Sequence, residues 1–250
     1  MDNVYNCFSQ YFREIITATG RLKKEELLVN RITQYLALKK DEPILDAACG
    51  TGEALNHLNQ MGYKKIEGLD SSINMILRAK EKLPDIIFHH FYWEQLKCGY
   101  LTNQYKLIYI IGVSLLHAEI KSIPPIIESI YHLLLPTGVF VLDVRKWGDK
   151  DQNGVIQKNR PIDKYKKICE FELGGNKFLV EDKCIYTKRR QHIQYKISCP
   201  SINKSPLYYN VSYARLSADY FKDILLKTGF KNVNIREESC WPYILIYAYK

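Results

Sequence analysis

Apolar residues near the start of the chain recur at three- and four-residue steps. Tyr5, Phe8, Tyr11, Phe12, Ile15 and Ile16 fall on one helical face. Gly20 interrupts the pattern, and Leu27, Leu28, Ile32 and Leu36 resume it, so residues 5–36 are predicted to form two helices. The period then changes. Pro43-Ile44-Leu45-Asp46-Ala47 is a short apolar run ending at a glycine turn, which suits a buried parallel strand. Further strands are predicted at 66–69, 86–90, 107–112 and 139–144, with helices at 53–60, 73–82 and 126–134 between most of them. Such alternation predicts an α/β fold: a mainly parallel sheet with helices on both faces.

After Arg145 the rhythm breaks. Residues 178–185, 192–198 and 208–213 alternate, or are β-branched and aromatic, with no helical segment between them. They are read as an inserted antiparallel β cap over the carboxyl end of the sheet. The α/β pattern returns with a helix at 218–228, a stop at Gly229 and strands at 233–236 and 243–249. The expected division is therefore residues 1–40 as N-terminal helices forming a lid and 41–144 as the core. Residues 145–215 make the cap, and 216–250 the closing helix and last two strands.

The densest chemical signal is Ile44-Leu45-Asp46-Ala47-Ala48-Cys49-Gly50-Thr51-Gly52. A strand delivers the chain to a turn whose glycines allow close backbone approach, and a helix then presents free N–H groups. About 20 residues on, the second strand ends at Asp70, the spacing at which a dinucleotide-type fold sets a carboxylate on ribose hydroxyls. The string resembles the cofactor loop of class I S-adenosylmethionine-dependent methyltransferases, and the resemblance covers most of residues 5–145 and 213–250. It implies a Rossmann-like seven-stranded sheet and S-adenosyl-L-methionine as cofactor. It also implies cofactor contacts from Asp46, Ala48, Gly50 and Gly52, from Asp70 and Ser71, and from Met75 on the adenine. Tyr92 and Trp93 would wall the adenine, Ile111 would line the fourth strand's end, and Arg21 would hold the methionine carboxylate.

The fourth strand runs from Tyr105 towards His117, and its carboxyl end is where the reacting methyl is expected. Tyr109 and His117 are the candidate catalytic side chains, His117 as a base or orienting group. Lys106 stands where the family often has Asp, Val113 where it has a polar residue, and Thr137 where it has glycine. The end of the fifth strand, Asp143-Val144-Arg145-Lys146-Trp147, resembles the glycine and glycine/sarcosine N-methyltransferases, whose arginine at the position of Arg145 holds the substrate carboxylate. A planar guanidinium fork suits that task. No Asn-Pro-Pro-Tyr or Asp-Pro-Pro-Tyr string and no Pro-Cys pair occurs at the fourth strand, which argues against base methylation in nucleic acids. No metal site is expected.

The net charge is +9. Residues 145–215 hold 16 Lys and Arg against 7 Asp and Glu, so the whole surplus sits in the cap. That keeps RNA as a second acceptor class beside the first, a small carboxylate-bearing amine. A third class, a cofactor-binding partner subunit without catalysis, rests on Lys106 and Val113. Seven scattered cysteines with no Cys-x-x-Cys pair predict reduced thiols. No apolar run approaches the roughly 20 residues of a membrane helix, and no secretory signal is read. The expectation is a cytoplasmic enzyme, monomeric or a small homo-oligomer.

Overall fold

The computed structural model describes residues 4–98, 104–146, 164–202 and 205–250. Two helices open the chain, α1 (Val4–Ala18) and α2 (Arg21–Tyr35), joined at Gly20 in the left-handed conformation with φ 68°. The core follows as β1 (Ile44–Asp46), α3 (Glu53–Gln60), β2 (Ile66–Asp70), α4 (Ile73–Lys82), β3 (Ile87–His90), β4 (Tyr105–Ile110), α5 (Ile123–Leu133) and β5 (Leu134–Val144). Next come β6 (Lys166–Leu173), β7 (Asn176–Tyr186), β8 (Arg190–Ser198) and β9 (Leu207–Ala214), then α6 (Ala218–Thr228), β10 (Asn232–Glu237) and β11 (Ile244–Tyr249).

The main sheet has seven strands in the order β10-β11-β5-β4-β1-β2-β3. Only β11 runs against its neighbours β5 and β10; the remaining pairs are parallel. β1 is fully buried, as a central strand covered by helices on both faces must be. The order reverses at β1, between β4 and β2. That is the crevice where open α/β sheets bind ligands.

Several boundaries differ from the sequence pattern: β5, expected from 139, starts at Leu134, and β4, expected at 107–112, runs from Tyr105 to Ile110. Helix α5 begins at Ile123 because Pro124 and Pro125 occupy its first turn, where a missing N–H costs nothing. The second sheet has four antiparallel strands, β6-β7-β8-β9, where the pattern predicted three. Its first strand is masked in sequence by Lys166 and Lys167 and by a register shift between Lys167 and Cys169, which breaks the two-residue period. This sheet lies at the carboxyl end of the parallel strands. Strand β9 packs on the short 3-10 turn Ser114–His117 that follows β4.

Helix α1 is wedged between the cap and the core. On the cap side, Phe8 meets Tyr209 at 5.3 Å and Tyr11 meets Phe178 at 5.3 Å between ring centroids. On the core side, the Ser72 hydroxyl donates to Asn6 Oδ1 at 2.7 Å, and Asn74 Nδ2 donates to the Asn6 carbonyl at 3.0 Å. Ile15, clustered with Phe171, Val180 and Tyr209 of the cap, and Ile16 are buried, each contributing about 1.5–3 kcal/mol by removal from water. Among the described residues no helix is long and apolar enough to cross a membrane.

Candidate active site

Strand β1 ends at Asp46, whose Oδ1 accepts the Ala48 N–H at 3.1 Å and so bends the chain into the loop. Gly50 and Gly52 have φ of 52° and 79°, conformations that a side chain would strain. Gly52 is packed on Ala79, Leu83 and Phe88, so its role is to seat α3, and it does not line the cavity. At the end of β2, Asp70 Oδ2 accepts the Gly50 N–H at 2.9 Å and Oδ1 accepts the Ser72 N–H at 2.8 Å. This carboxylate ties the two strand-end loops together at the crevice. Burial raises the pKa of Asp70 and pushes Asp46 up to about 7.

These loops open into a cavity of about 570 Å³, a size suited to a cofactor. Asp46, Ala48, Gly50, Asp70, Ser71, Met75, Tyr92, Trp93 and Ile111 all line it. The Trp93 indole N–H donates to the Ala47 carbonyl at 2.6 Å, which fixes that ring at the rim. Tyr109 does not join them. It lines neither this cavity nor its neighbour, and its buried hydroxyl lies beneath the loop beside Asp46, so it is removed from the candidate catalytic groups. The strand period turns it inward, where a sequence reading cannot tell site from core.

After β4 the backbone makes a strained turn, with φ of 78° at Gly112 and 57° at Val113. A β-branched residue rarely adopts that geometry. Asp143 holds it: its carboxylate accepts from the Gly112 N–H at 2.9 Å, the Val113 N–H at 2.6 Å and the Trp241 indole at 2.7 Å. The Arg21 guanidinium lies over Gly112, where a Cβ would meet Nη2 at 2.2 Å. Glu25 pairs with Arg21 at 2.6 Å, and the pair faces the cavity. Lys106 and Thr137 bind each other at the far edge, Lys106 Nζ donating to the Thr137 carbonyl at 2.8 Å.

The turn carries His117 into the site. Its Nδ1 lies 3.1 Å from the Ser212 carbonyl of β9, and its Nε2 lies 2.9 Å from the Tyr5 hydroxyl. A carbonyl can only accept, so Nδ1 carries the proton and Nε2 accepts from Tyr5. Burial, opposed in part by the Ser212 bond, pushes the His117 pKa down to about 4, with Arg145, Arg190 and Arg21 acting in the same direction as burial. Arg190, which the sequence reading did not single out, braces the turn. Its guanidinium donates to the carbonyls of His117 at 3.3 Å and Ser212 at 3.2 Å, and to the Ser212 hydroxyl at 2.6 Å.

A second cavity of about 380 Å³ adjoins the first, between α1, the cap and the segment Trp241-Pro242-Tyr243 that leads into β11. Tyr5, Phe12, Arg21, Val211 and Tyr213 line both, so they mark the junction. Arg145 faces the second cavity, its guanidinium carbon 4.4 Å from the Tyr213 ring centroid and 5.6 Å from that of Tyr243. Its Nε is buried with no protein acceptor. Trp147, the last residue of the glycine-type string, lies outside the described residues.

Comparison with known proteins agrees with this architecture. Residues 44–138 match the family described as methyltransferase domain. A segment of 51 residues is 41% identical to the dTDP-3-amino-3,6-dideoxy-alpha-D-glucopyranose N,N-dimethyltransferase of Streptomyces fradiae, spanning 20% of this chain and 20% of that relative. An S-adenosylmethionine-dependent methyltransferase from Clostridium acetobutylicum superimposes with a TM-score of 0.71 over 99% of both chains at 16% identity. The sugar N-methyltransferase KedS8 from a Streptoalloteichus species gives 0.67 over 100% of this chain and 94% of that one, at 16% identity. These show the Rossmann-like methyltransferase fold. They do not support the glycine and sarcosine subgroup, since the relatives named for their substrates include sugar and glycopeptide N-methyltransferases.

Proposed function

We propose that this chain, which carries a methyltransferase domain, transfers a methyl group from S-adenosylmethionine to the nitrogen of a small amine that bears an oxyanion. The observation behind this reading is the pair of adjoining cavities with a shared aromatic junction. One is lined by strand-end loops and a buried carboxylate. The other is lined by tyrosines and Arg145.

The first cavity fits the cofactor by its donor set. A carboxylate has about four acceptor positions, so Asp70 can hold Gly50 and Ser72 and still accept from two ribose hydroxyls. Arg21 would face the cofactor's carboxylate, and Met75, Tyr92 and Trp93 offer flat or soft apolar surface to the adenine. The cofactor supplies an already activated methyl group on a sulfonium, and the aromatic rings at the junction favour that positive charge.

The protein's remaining task is alignment and proton control. The nitrogen must arrive with a free lone pair. Tyr5 donates to His117 Nε2, and a phenol so engaged can still accept an N–H, turning the amine's lone pair towards the methyl. The cations Arg21, Arg145 and Arg190 around this point favour a neutral amine over an ammonium. Holding donor and acceptor in line can supply about 7–11 kcal/mol of the barrier lowering. Arg145 would grip the oxyanion: a carboxylate if the acceptor is amino-acid-like, a phosphoryl group if it is a nucleotide-linked amino sugar like the substrate in the relative's name.

A panel of amino acids, amino sugars and nucleotide-linked amino sugars, offered with tritium-labelled cofactor, tests the proposal. Label should enter an oxyanion-bearing amine. Transfer to RNA alone would overturn it in favour of the basic cap as a nucleic-acid platform.

A further inference from the structure

Strand β7 sends alternate side chains towards α1 and the second cavity. Phe178, Val180, Cys184 and Tyr186 form that inward row, each of them buried or half-buried against apolar neighbours. The remaining member of the row is Asp182. Of the residues that the four-stranded sheet contributes to the cavity wall, Asp182 is the charged one; the others are isoleucine, valine and tyrosine. It pairs in register with Tyr195 on β8 and Lys166 on β6, but Lys166 is exposed. Among the described residues no cation or hydroxyl closes on the Asp182 carboxylate within bonding distance. Asp182 is half-buried, and Lys166 and Arg145 act on it only across a distance, so its carboxylate keeps acceptor capacity towards the cavity.

Its position says what that capacity serves. Asp182 lines the second cavity only, whereas the junction with the cofactor cavity is made by Tyr5, Phe12, Arg21, Val211 and Tyr213. The reacting nitrogen must lie at the junction. Asp182 therefore faces the body of the acceptor at a distance from its nitrogen. This separation is chemically useful, since a carboxylate beside the nitrogen would hold it as ammonium, without a lone pair. Arg145 shares the cavity and is the group proposed to take the acceptor's oxyanion, which leaves Asp182 facing the uncharged part of that body. A carboxylate then seeks neutral donors, and on a compact small molecule those are hydroxyl groups.

We propose that Asp182 reads the hydroxyl groups of a polyhydroxylated amine acceptor, which makes the second cavity a sugar-type subsite. The inference rests on the function proposed above and narrows its acceptor class.

Two ring amines test it, each carrying an oxyanion for Arg145: glucosamine 6-phosphate, and 4-aminocyclohexyl phosphate, which has the ring, the nitrogen and the phosphate without the hydroxyls. Each is titrated calorimetrically into protein saturated with demethylated cofactor. The wild type should bind the sugar phosphate at least about tenfold more tightly. Asp182→Ala should bring the two affinities together by weakening the sugar phosphate alone, and Asp182→Asn should retain part of the difference. Melting temperature and cofactor affinity should stay close to wild type in both variants. Equal wild-type affinities overturn the inference. So does a parallel loss for both amines in Asp182→Ala, which would mean that Asp182 pairs with the ammonium. The cofactor titration, run first, separates the two ideas: no cofactor binding strikes the proposed function and this inference together. Methyl transfer to an amine without the preference for the sugar phosphate strikes the inference alone.

Discussion

The seven-stranded sheet and the four-stranded sheet meet the ligand region by different surfaces. The first offers its ends. Asp46, Asp70 and the Gly112-Val113 turn stand at the carboxyl ends of β1, β2 and β4, and their chemistry is largely backbone N–H groups organised by carboxylates. The second offers its face. Asp182, Tyr195, Tyr209 and Tyr213 project from β7, β8 and β9, and their chemistry is carried by side chains. A backbone site tolerates little change, because glycines and turn geometry are hard to replace. A side-chain site can be rewritten one residue at a time. The same core can therefore keep its cofactor while its acceptor changes, as the separation of the two cavities allows.

The largest expected effect strikes the first surface. Asp70→Ala removes the carboxylate that joins the Gly50 and Ser72 loops and faces the cavity. Loss of charge-assisted bonds of about 1.5–3 kcal/mol should weaken S-adenosylmethionine roughly ten- to a hundredfold or more, as calorimetry would read. Unchanged affinity would take Asp70 off the ribose.

Arg145→Lys strikes the second surface. A point charge cannot reproduce the fork held over Tyr213 and Tyr243. The acceptor's kcat/KM should fall about ten- to a hundredfold while cofactor affinity holds. A matching loss of cofactor affinity would show that the two cavities do not act separately.

The contrast also explains what the sequence made legible. Helices α3, α4 and α6 begin and end where the pattern put them, and the loop from Asp46 to Gly52 announces its own geometry, because glycines and acids at strand ends are local signals. The acceptor cavity is assembled from positions far apart in the chain. Asp182 reads in sequence as another acid in a lysine-rich strand, and only the pairing of β7 with β8 turns it inward. Arg190 lies 73 residues from the His117 carbonyl it braces, so no local pattern could reveal it. Tyr109 failed for the converse reason: it lies on a correctly placed strand, but on the side that packs against the core.

A smaller effect is expected at the contact between the two surfaces. Arg190→Gln should release the carbonyls of His117 and Ser212 and loosen the imidazole, lowering kcat about fivefold for roughly 1 kcal/mol of lost hydrogen bonding. Cofactor affinity should not move. Nitrogen-15 shifts of His117 should show a mixed tautomer in place of the proton fixed on Nδ1, which a general loss of stability would not produce.

The smallest effect separates the surfaces by the sign of their response to pH. His117, buried against the cap, has its pKa pushed down to about 4 by burial. An unfolded chain takes up that proton near pH 6.5, before the folded one does, so this group weakens folding as pH falls from about 6.5 to 4. Asp46 and Asp143 in the core are pushed up to about 7 and about 6, again by burial. There the folded state holds a proton that the unfolded chain has already released. Stability from these groups is therefore greatest at the acid end and declines as pH rises from about 4 towards 6 or 7. Two carboxylates oppose one imidazole across nearly the same window, so the unliganded wild type should lose stability modestly as pH rises from about 4.5 to 6.5. His117→Asn should steepen that loss. Asp143→Asn, which leaves one carboxylate against the imidazole, should flatten it. Parallel melting curves for wild type and His117→Asn would mean that the folded histidine takes up its proton near its ordinary pKa. The neutral acceptor proposed for the Tyr5 hydroxyl would then be lost below neutral pH.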